Sequence, residues 1–187
     1  MLQMAKSLLI VDIETDSNHP HHARILEIAV ARLNLGTGQV ELRMDTFVRP
    51  DCAEDKWSGC WFMENSGVPA ELIRQAPAFD SVRPRFETEM QHPITAYNTE
   101  FDFTVLARHG VDIPEPWPWL MLACTPILRL PGSYGDYKWP KFSEAWRHFF
   151  PRERLADAHR AGPDAVNEAK LAFALYKGGY LKAPKRG

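Results

Sequence analysis

The chain has 187 residues, 45% of them hydrophobic, and 22 Lys and Arg stand against 24 Asp and Glu for a formal net charge of −2. This fits one compact domain with a sizeable core, read as residues 1–180 with a loose basic tail at 181–187. No repeat of about 20–50 residues is visible, no apolar run approaches the ~18 residues of a membrane span, and the short N-terminal apolar run meets acids at once, unlike a signal peptide.

A soluble, cytoplasmic protein is therefore expected. Three cysteines, Cys52, Cys60 and Cys124, are an odd number at no common zinc spacing and read as reduced thiols. The charge balance neither demands nor excludes a nucleic-acid partner. Arg147, Arg152, Arg154 and Arg160 form a locally basic stretch, as do Lys182, Lys185 and Arg186.

In chain order, Leu8–Glu14 reads as a buried strand from its unbroken apolar start. Arg24–Leu35 carries strand content, Gly36-Thr37-Gly38 supplies a hairpin turn, and Val40–Val48 alternates as the returning strand. Arg49–Ser66 reads as irregular. Helices are expected over Pro69–Gln75 and Ser81–Met90, a strand over Ile94–Tyr97, and a helix over Glu100–His109 closed by Gly110. The run WPWLMLACT, Trp117–Thr125, is expected to hold a fifth strand, and Lys141–Phe150 an amphipathic helix. The last helix, Ala161–Lys177, opens on Gly162-Pro163 and closes on Gly178-Gly179. This order predicts an α/β fold: a mixed sheet, three strands in an antiparallel meander plus parallel strands, with helices on both faces.

Asp12 and Glu14 end the first strand. Residues two apart in a strand share a face, so both carboxylates project from one side. Two anions about 4 Å apart repel by ~4 kcal/mol at an effective dielectric near 20. A hard divalent cation relieves that repulsion with oxygen ligands; the plain alternative is that the strand ends at Asp12 and the acids are solvated. Asp102 lies in the first turn of a helix. Thr99 and Asp102 have capping-box spacing, so Asp102 reads either as a cap or, sharing a face with Val105 and Leu106, as an acid turned inward to a metal. His159 lies in a loop and Asp164 in the first turn after Pro163; the plain readings are an exposed histidine and a dipole partner. His19, His21 and His22 invite a zinc reading, but a surface loop fits better, with no cysteine nearby.

Taken together, D-x-E ending a first strand, N-x-x-F-D opening a middle helix and H-x4-D-A opening the last helix resemble the DEDDh branch of the 3′–5′ exonucleases, the family of the polymerase III proofreading epsilon subunit, ribonuclease T and oligoribonuclease. The likeness spans Leu8 to about Tyr176 and includes GVPAELIRQAPAFDSVRPRF, similar to the helix pair after the third strand. It implies a ribonuclease H-like fold and release of nucleoside 5′-monophosphates from the 3′ end. Asp12, Glu14, Asp102 and Asp164 match the acids that hold two Mg²⁺ or Mn²⁺ ions, and His159 matches the general base. Ile13, Thr15, Asn98 and Phe101 match positions that line or support the site; Trp61 and Met63, in a loop with Trp57 and Phe62, are candidates to stack on terminal bases. The implied partner is a single-stranded or frayed 3′ end of DNA or RNA in proofreading, repair or RNA turnover, with a polymerase or a second copy as further partner and no membrane. Departures stand at Asp16-Ser17, Tyr97 and Ser66. Alternatives are a non-catalytic binding module on the same fold and an endonuclease.

Overall fold

The computed structural model describes residues 7–90, 92–113, 116–133, 135–155 and 159–184. Strands β1 (Ser7–Thr15), β2 (Ile25–Asn34), β3 (Val40–Phe47) and β4 (Ile94–Thr95) form one sheet in the order β3-β2-β1-β4. The first three are an antiparallel meander, and β4 joins β1 in parallel. Leu8 to Val11 are buried on both faces, as befits a central strand. The β2–β3 turn is set by Asn34, whose Oδ1 accepts the N–H groups of Gly36 and Thr37. Gly38 completes the turn at φ +79°, where a Cβ would also strike the Phe173 ring.

The helices are α1 (Trp61–Asn65), α2 (Ala70–Gln75), α3 (Phe79–Glu89), α4 (Thr99–Arg108), α5 (Leu120–Leu128), α6 (Phe142–Phe149) and α7 (Ala161–Lys177). Odd residues of β1, Leu9, Val11 and Ile13, pack with α3 and α4 through Phe79, Val82, Phe86, Val105 and Leu106. Even residues, Leu8 and Ile10, pack with α5, α6 and α7. A third cluster holds Leu26, Trp57, Phe62, Val68 and Ile73 under the loop after β3. Both faces of the sheet are therefore covered, as expected.

The fifth strand is a correction. Trp117 donates its N–H to the Ile94 carbonyl at 2.8 Å, as a neighbouring strand would. Pro118 then has no N–H to extend a ladder. Leu120 and Met121 instead donate to Ala96 and Tyr97 carbonyls, which satisfies the open first turn of helix α5. Strand β4 is likewise cut to two residues, and part of Arg49–Ser66 forms a single 3₁₀ turn (Glu54–Lys56) and α1.

Helix α7 lies close on the sheet because its inner face carries Ala161, Gly162, Ala165, Ala169 and Ala172. It ends in a Schellman arrangement: Gly179 at φ +78°, with Tyr180 donating to Leu175. Leu181 is buried in the same cluster, so the tail expected from residue 181 begins with a packed residue; 185–187 lie outside the described residues. All three cysteines are unpaired. Among the described residues no helix is long and apolar enough to cross a membrane.

Candidate active site

Asp12 and Glu14 project from β1 on the α7 side of the sheet, in line with Leu8 and Ile10. A bulge follows at once. Glu14 pairs with Glu27 and Thr15 with Ile25, leaving Leu26 as the extra residue of β2. Such bulges raise the local twist and re-aim side chains.

Asp164 comes from the first turn of α7. Oxygens of Asp12, Glu14 and Asp164 all lie within 4.8 Å of one another. One Asp164 oxygen, Oδ2, accepts the backbone N–H of His159 at 2.8 Å. The other, Oδ1, is buried and has no hydrogen-bond partner among the described residues. His159 is exposed at φ +79°, a left-handed conformation uncommon outside glycine, and its ring meets Trp61 edge-on at 4.4 Å.

Asp102 comes from the first turn of α4 and is 6% exposed. The cap of α4 is Asn98, whose side chain accepts the Phe101 N–H. This decides between the two readings of Asp102: it does not cap the helix but points inward with Val105 and Leu106. It lies outside the 4.8 Å group, although its charge reaches both Asp12 and Glu14.

A further acid, Glu168, escaped the sequence reading. It is 4% exposed and accepts the Tyr97 N–H at 3.2 Å. The signal was available: Glu168 stands four residues after Asp164, on the apolar face of α7. Glu27 was missed in the same way, a buried acid inside the apolar run of β2.

Electrostatics follow from five carboxyls in one place. Burial, then the charges of Glu168, Glu14, Asp102 and Asp164, hold Asp12 well above the ordinary carboxylate range. Burial pushes Glu14 up to about 8, with Asp164, Glu27 and Asp102 adding repulsion and Arg160 opposing it. Burial pushes Asp102 up to about 8, against the pull of its own backbone N–H and that of Ile13. Burial raises Asp164 as well, opposed by the N–H groups of His159 and Arg160. Glu168 is also well raised, by burial and then by Asp102 and Asp164.

The remaining expected residues divide. Trp61 is 56% exposed and beside His159, while Trp57 is 2% exposed and Phe62 is buried, so the aromatic loop is mostly core. Met63 packs partly against that core. Ile13 is 6% exposed and packed in the sheet, and Phe101 is partly buried against the same cluster. The Thr15 hydroxyl donates to the Ser17 carbonyl at 2.8 Å. Asp16 accepts both the N–H and the guanidinium of Arg24, pinning the loop after β1. His19 and His22 lie in that loop with ring centres 5.9 Å apart. Tyr97 donates its hydroxyl to the Pro140 carbonyl, and Ser66 accepts the Val68 N–H.

This donor set fits a divalent cation. It is all carboxylate oxygen, suited to Mg²⁺ or Mn²⁺. Oδ1 of Asp164 is a buried acceptor with no donor among the described residues, and the mutual repulsion of Asp12, Glu14 and Asp164 is what a cation offsets.

Comparison with known proteins places this arrangement. No curated protein sequence matches the chain. The family model RNase_T, described as "Exonuclease", matches residues 9–172. Among solved structures, the nuclease domain of 3′hExo, a DEDDh family member, bound to rAMP, is similar at 15% identity and a TM-score of 0.70, covering 99% of each chain. Cell-death related nuclease 4 is similar at 14% identity and a TM-score of 0.69, over 95% of this chain and 66% of that one. Escherichia coli Exonuclease I in complex with a dT13 oligonucleotide is similar at 20% identity and a TM-score of 0.63, over 91% of this chain and 41% of that one. At these identities the structures show the shared ribonuclease H-like fold, and the family model, matched over most of the length, shows the lineage: the chain belongs to the RNase_T exonuclease family.

Proposed function

We propose that the chain hydrolyses phosphodiester bonds at the 3′ end of single-stranded or frayed DNA or RNA and releases nucleoside 5′-monophosphates. Asp12, Glu14 and Asp164 would hold one divalent cation, and Asp102 would contribute to a second or act through water. The observation that carries this reading is the convergence of three carboxylates within 4.8 Å of one another, one of them Asp164, whose Oδ1 has no hydrogen-bond partner among the described residues. The substrate class is supported by the neighbours: Exonuclease I was crystallised in complex with oligonucleotides, and another neighbour concerns 3′-end specific recognition of the histone mRNA stem-loop by a 3′-exonuclease.

When bound, a pair of divalent ions supplies Lewis acidity at the scissile phosphate and at the attacking and departing oxygens. His159 takes the proton of the attacking water. An imidazole is a common general base at neutral pH, and the exposure of His159 lets the proton pass to solvent. Asp164 fixes the backbone from which His159 projects. Trp61, exposed beside His159, offers a face to the terminal base. The whole acid set comes from one chain, so the proposal needs neither a polymerase nor a second copy to complete it.

The test is a time course on 5′-labelled DNA and RNA oligonucleotides, with and without EDTA. Stepwise shortening from the 3′ end that EDTA stops supports the reading. Internal cuts point to an endonuclease, and absence of metal-dependent shortening points to a binding module.

A further inference from the structure

Arg160 lies between His159 and helix α7, and its guanidinium is committed. Nε and Nη2 both reach the Glu27 carboxylate, at 2.9 to 3.1 Å. The same carboxylate accepts the N–H of Ala161, the first residue of α7, at 3.2 Å. Arg160 itself, at the N-cap position, supplies no side-chain cap. Glu27 on β2 is therefore the group that caps α7 from outside the helix.

Two further contacts hold this join. The Arg160 guanidinium lies over the Phe47 ring, 4.9 Å from its centre, and Phe47 is the β3 partner of Glu27. A Cβ on Gly162 would come within 2.2 Å of Asp45 Oδ2, so the start of α7 sits close against the Asp45 side chain of β3. Glu27 stands opposite Glu14 across the β1–β2 ladder. Directly opposed like charges repel, and the Arg160 charge beside them counters that. A free surface arginine would give none of this. The Glu27 side chain is 1% exposed, and a buried acid of this kind is retained only if paired and hydrogen-bonded.

Resting on the exonuclease reading above, we propose that Glu27 and Arg160 are positioning residues of the active site: a latch that docks the first turn of α7 on β2 and thereby sets His159 and Asp164 against Asp12 and Glu14. Neither touches the substrate or the ions. Their effect passes through the Arg160-Ala161 backbone, with His159 on one side and Asp164 on the other.

The test uses the full chain as Glu27→Gln, Arg160→Gln, Arg160→Lys and the Glu27→Gln/Arg160→Gln double variant. Two readouts need no turnover: hydrogen exchange of the amides from His159 to Asp164 without metal, and Mn²⁺ affinity by calorimetry. Each single Gln variant is expected to speed exchange in that segment at least ~10-fold while residues 165–177 keep wild-type rates, and to weaken Mn²⁺ by about 10–100-fold. The double variant is expected to be no worse than the worse single, because the pair acts as one unit. Arg160→Lys recovers part of the loss, since an ammonium keeps the charge without the two-pronged fork. In turnover, kcat falls and KM stays.

Wild-type exchange and Mn²⁺ affinity in both single Gln variants, or losses that simply add in the double, overturn the latch. If Glu27→Gln fails to fold, Arg160→Gln, on the half-exposed partner, decides alone. A wild-type chain that binds Mn²⁺ yet releases no nucleotide defeats the exonuclease reading, and exchange and affinity still decide the latch.

Discussion

The backbone N–H of His159 donates to Oδ2 of Asp164 at 2.8 Å. The residue proposed as base and an acid proposed as metal ligand are thus joined by one bond, while Asp164 Oδ1 has no hydrogen-bond partner among the described residues. The bond also restrains a residue in the left-handed region, a conformation that persists only where surrounding contacts hold it.

Two variants separate these roles. His159→Ala is expected to lower kcat by about 10²–10⁴-fold with Mn²⁺ binding retained, because the backbone donor survives. Asp164→Ala loses both the ligand and the tether. It is expected to lower kcat further and to weaken Mn²⁺, as read by steady-state kinetics and calorimetry on the same preparations.

Glu168 is a test of charge against hydrogen bonding. Glu168→Gln keeps an oxygen for the Tyr97 N–H and removes a negative charge beside Asp12. It is expected to fold normally and to bind Mn²⁺ about 10-fold less tightly. Glu168→Ala strands the Tyr97 N–H and is expected to cost about 1–3 kcal/mol in chemical denaturation.

Without metal, stability is expected to fall as pH rises. Glu14 moves from an ordinary 4.5 to about 8, and Asp102 from 3.8 to about 8. Between those values the folded chain holds protons that the unfolded chain has released, so rising pH favours unfolding. The contribution is complete below the ordinary values and is lost as pH passes about 8. Thermal melts in EDTA from about pH 5 to about pH 9 should show Tm declining, and added Mn²⁺ should raise Tm more at the alkaline end, where cation binding displaces fewer protons.

Trp57 and Trp61 should behave differently. Trp61→Ala removes an exposed ring and is expected to leave stability near wild type while raising KM, since stacking on a base contributes about 1–3 kcal/mol. Trp57→Ala empties a core site and is expected to cost about 3–5 kcal/mol of stability. Denaturation midpoints and KM on a short oligonucleotide read the contrast.

Most of the architecture was legible because strand and helix periods differ. The meander, α4 and α7 follow from unbroken or periodic apolar runs with glycine at their ends. The segment after Trp117 was misread because a short apolar run does not distinguish strand from helix; Pro118 and the waiting carbonyls of Ala96 and Tyr97 decided it. The spatial gathering of Asp12, Glu14 and Asp164 was expected from motif order, and these three do converge. Asp102 was ambiguous until Asn98 proved to be the cap. Glu27 and Glu168 fall in no motif, although each is an acid set in an apolar stretch; their importance lies in contacts across 71 to 134 positions of sequence. The aromatic loop showed the reverse error: composition suggested a stacking face, while packing took Trp57 and Phe62 inward and left Trp61 outside.

The central claim is that the carboxylate cluster makes the chain a metal-dependent 3′ exonuclease, and one comparison tests it most directly. Wild type and Asp12→Ala are given 5′-labelled single-stranded DNA and RNA with Mg²⁺, and the products are resolved by length. The expected result is a ladder shortening one nucleotide at a time in wild type, with 5′-monophosphates released, and an unshortened strand with Asp12→Ala. Equal shortening by both chains in clean preparations, or none by wild type on either substrate, would contradict it.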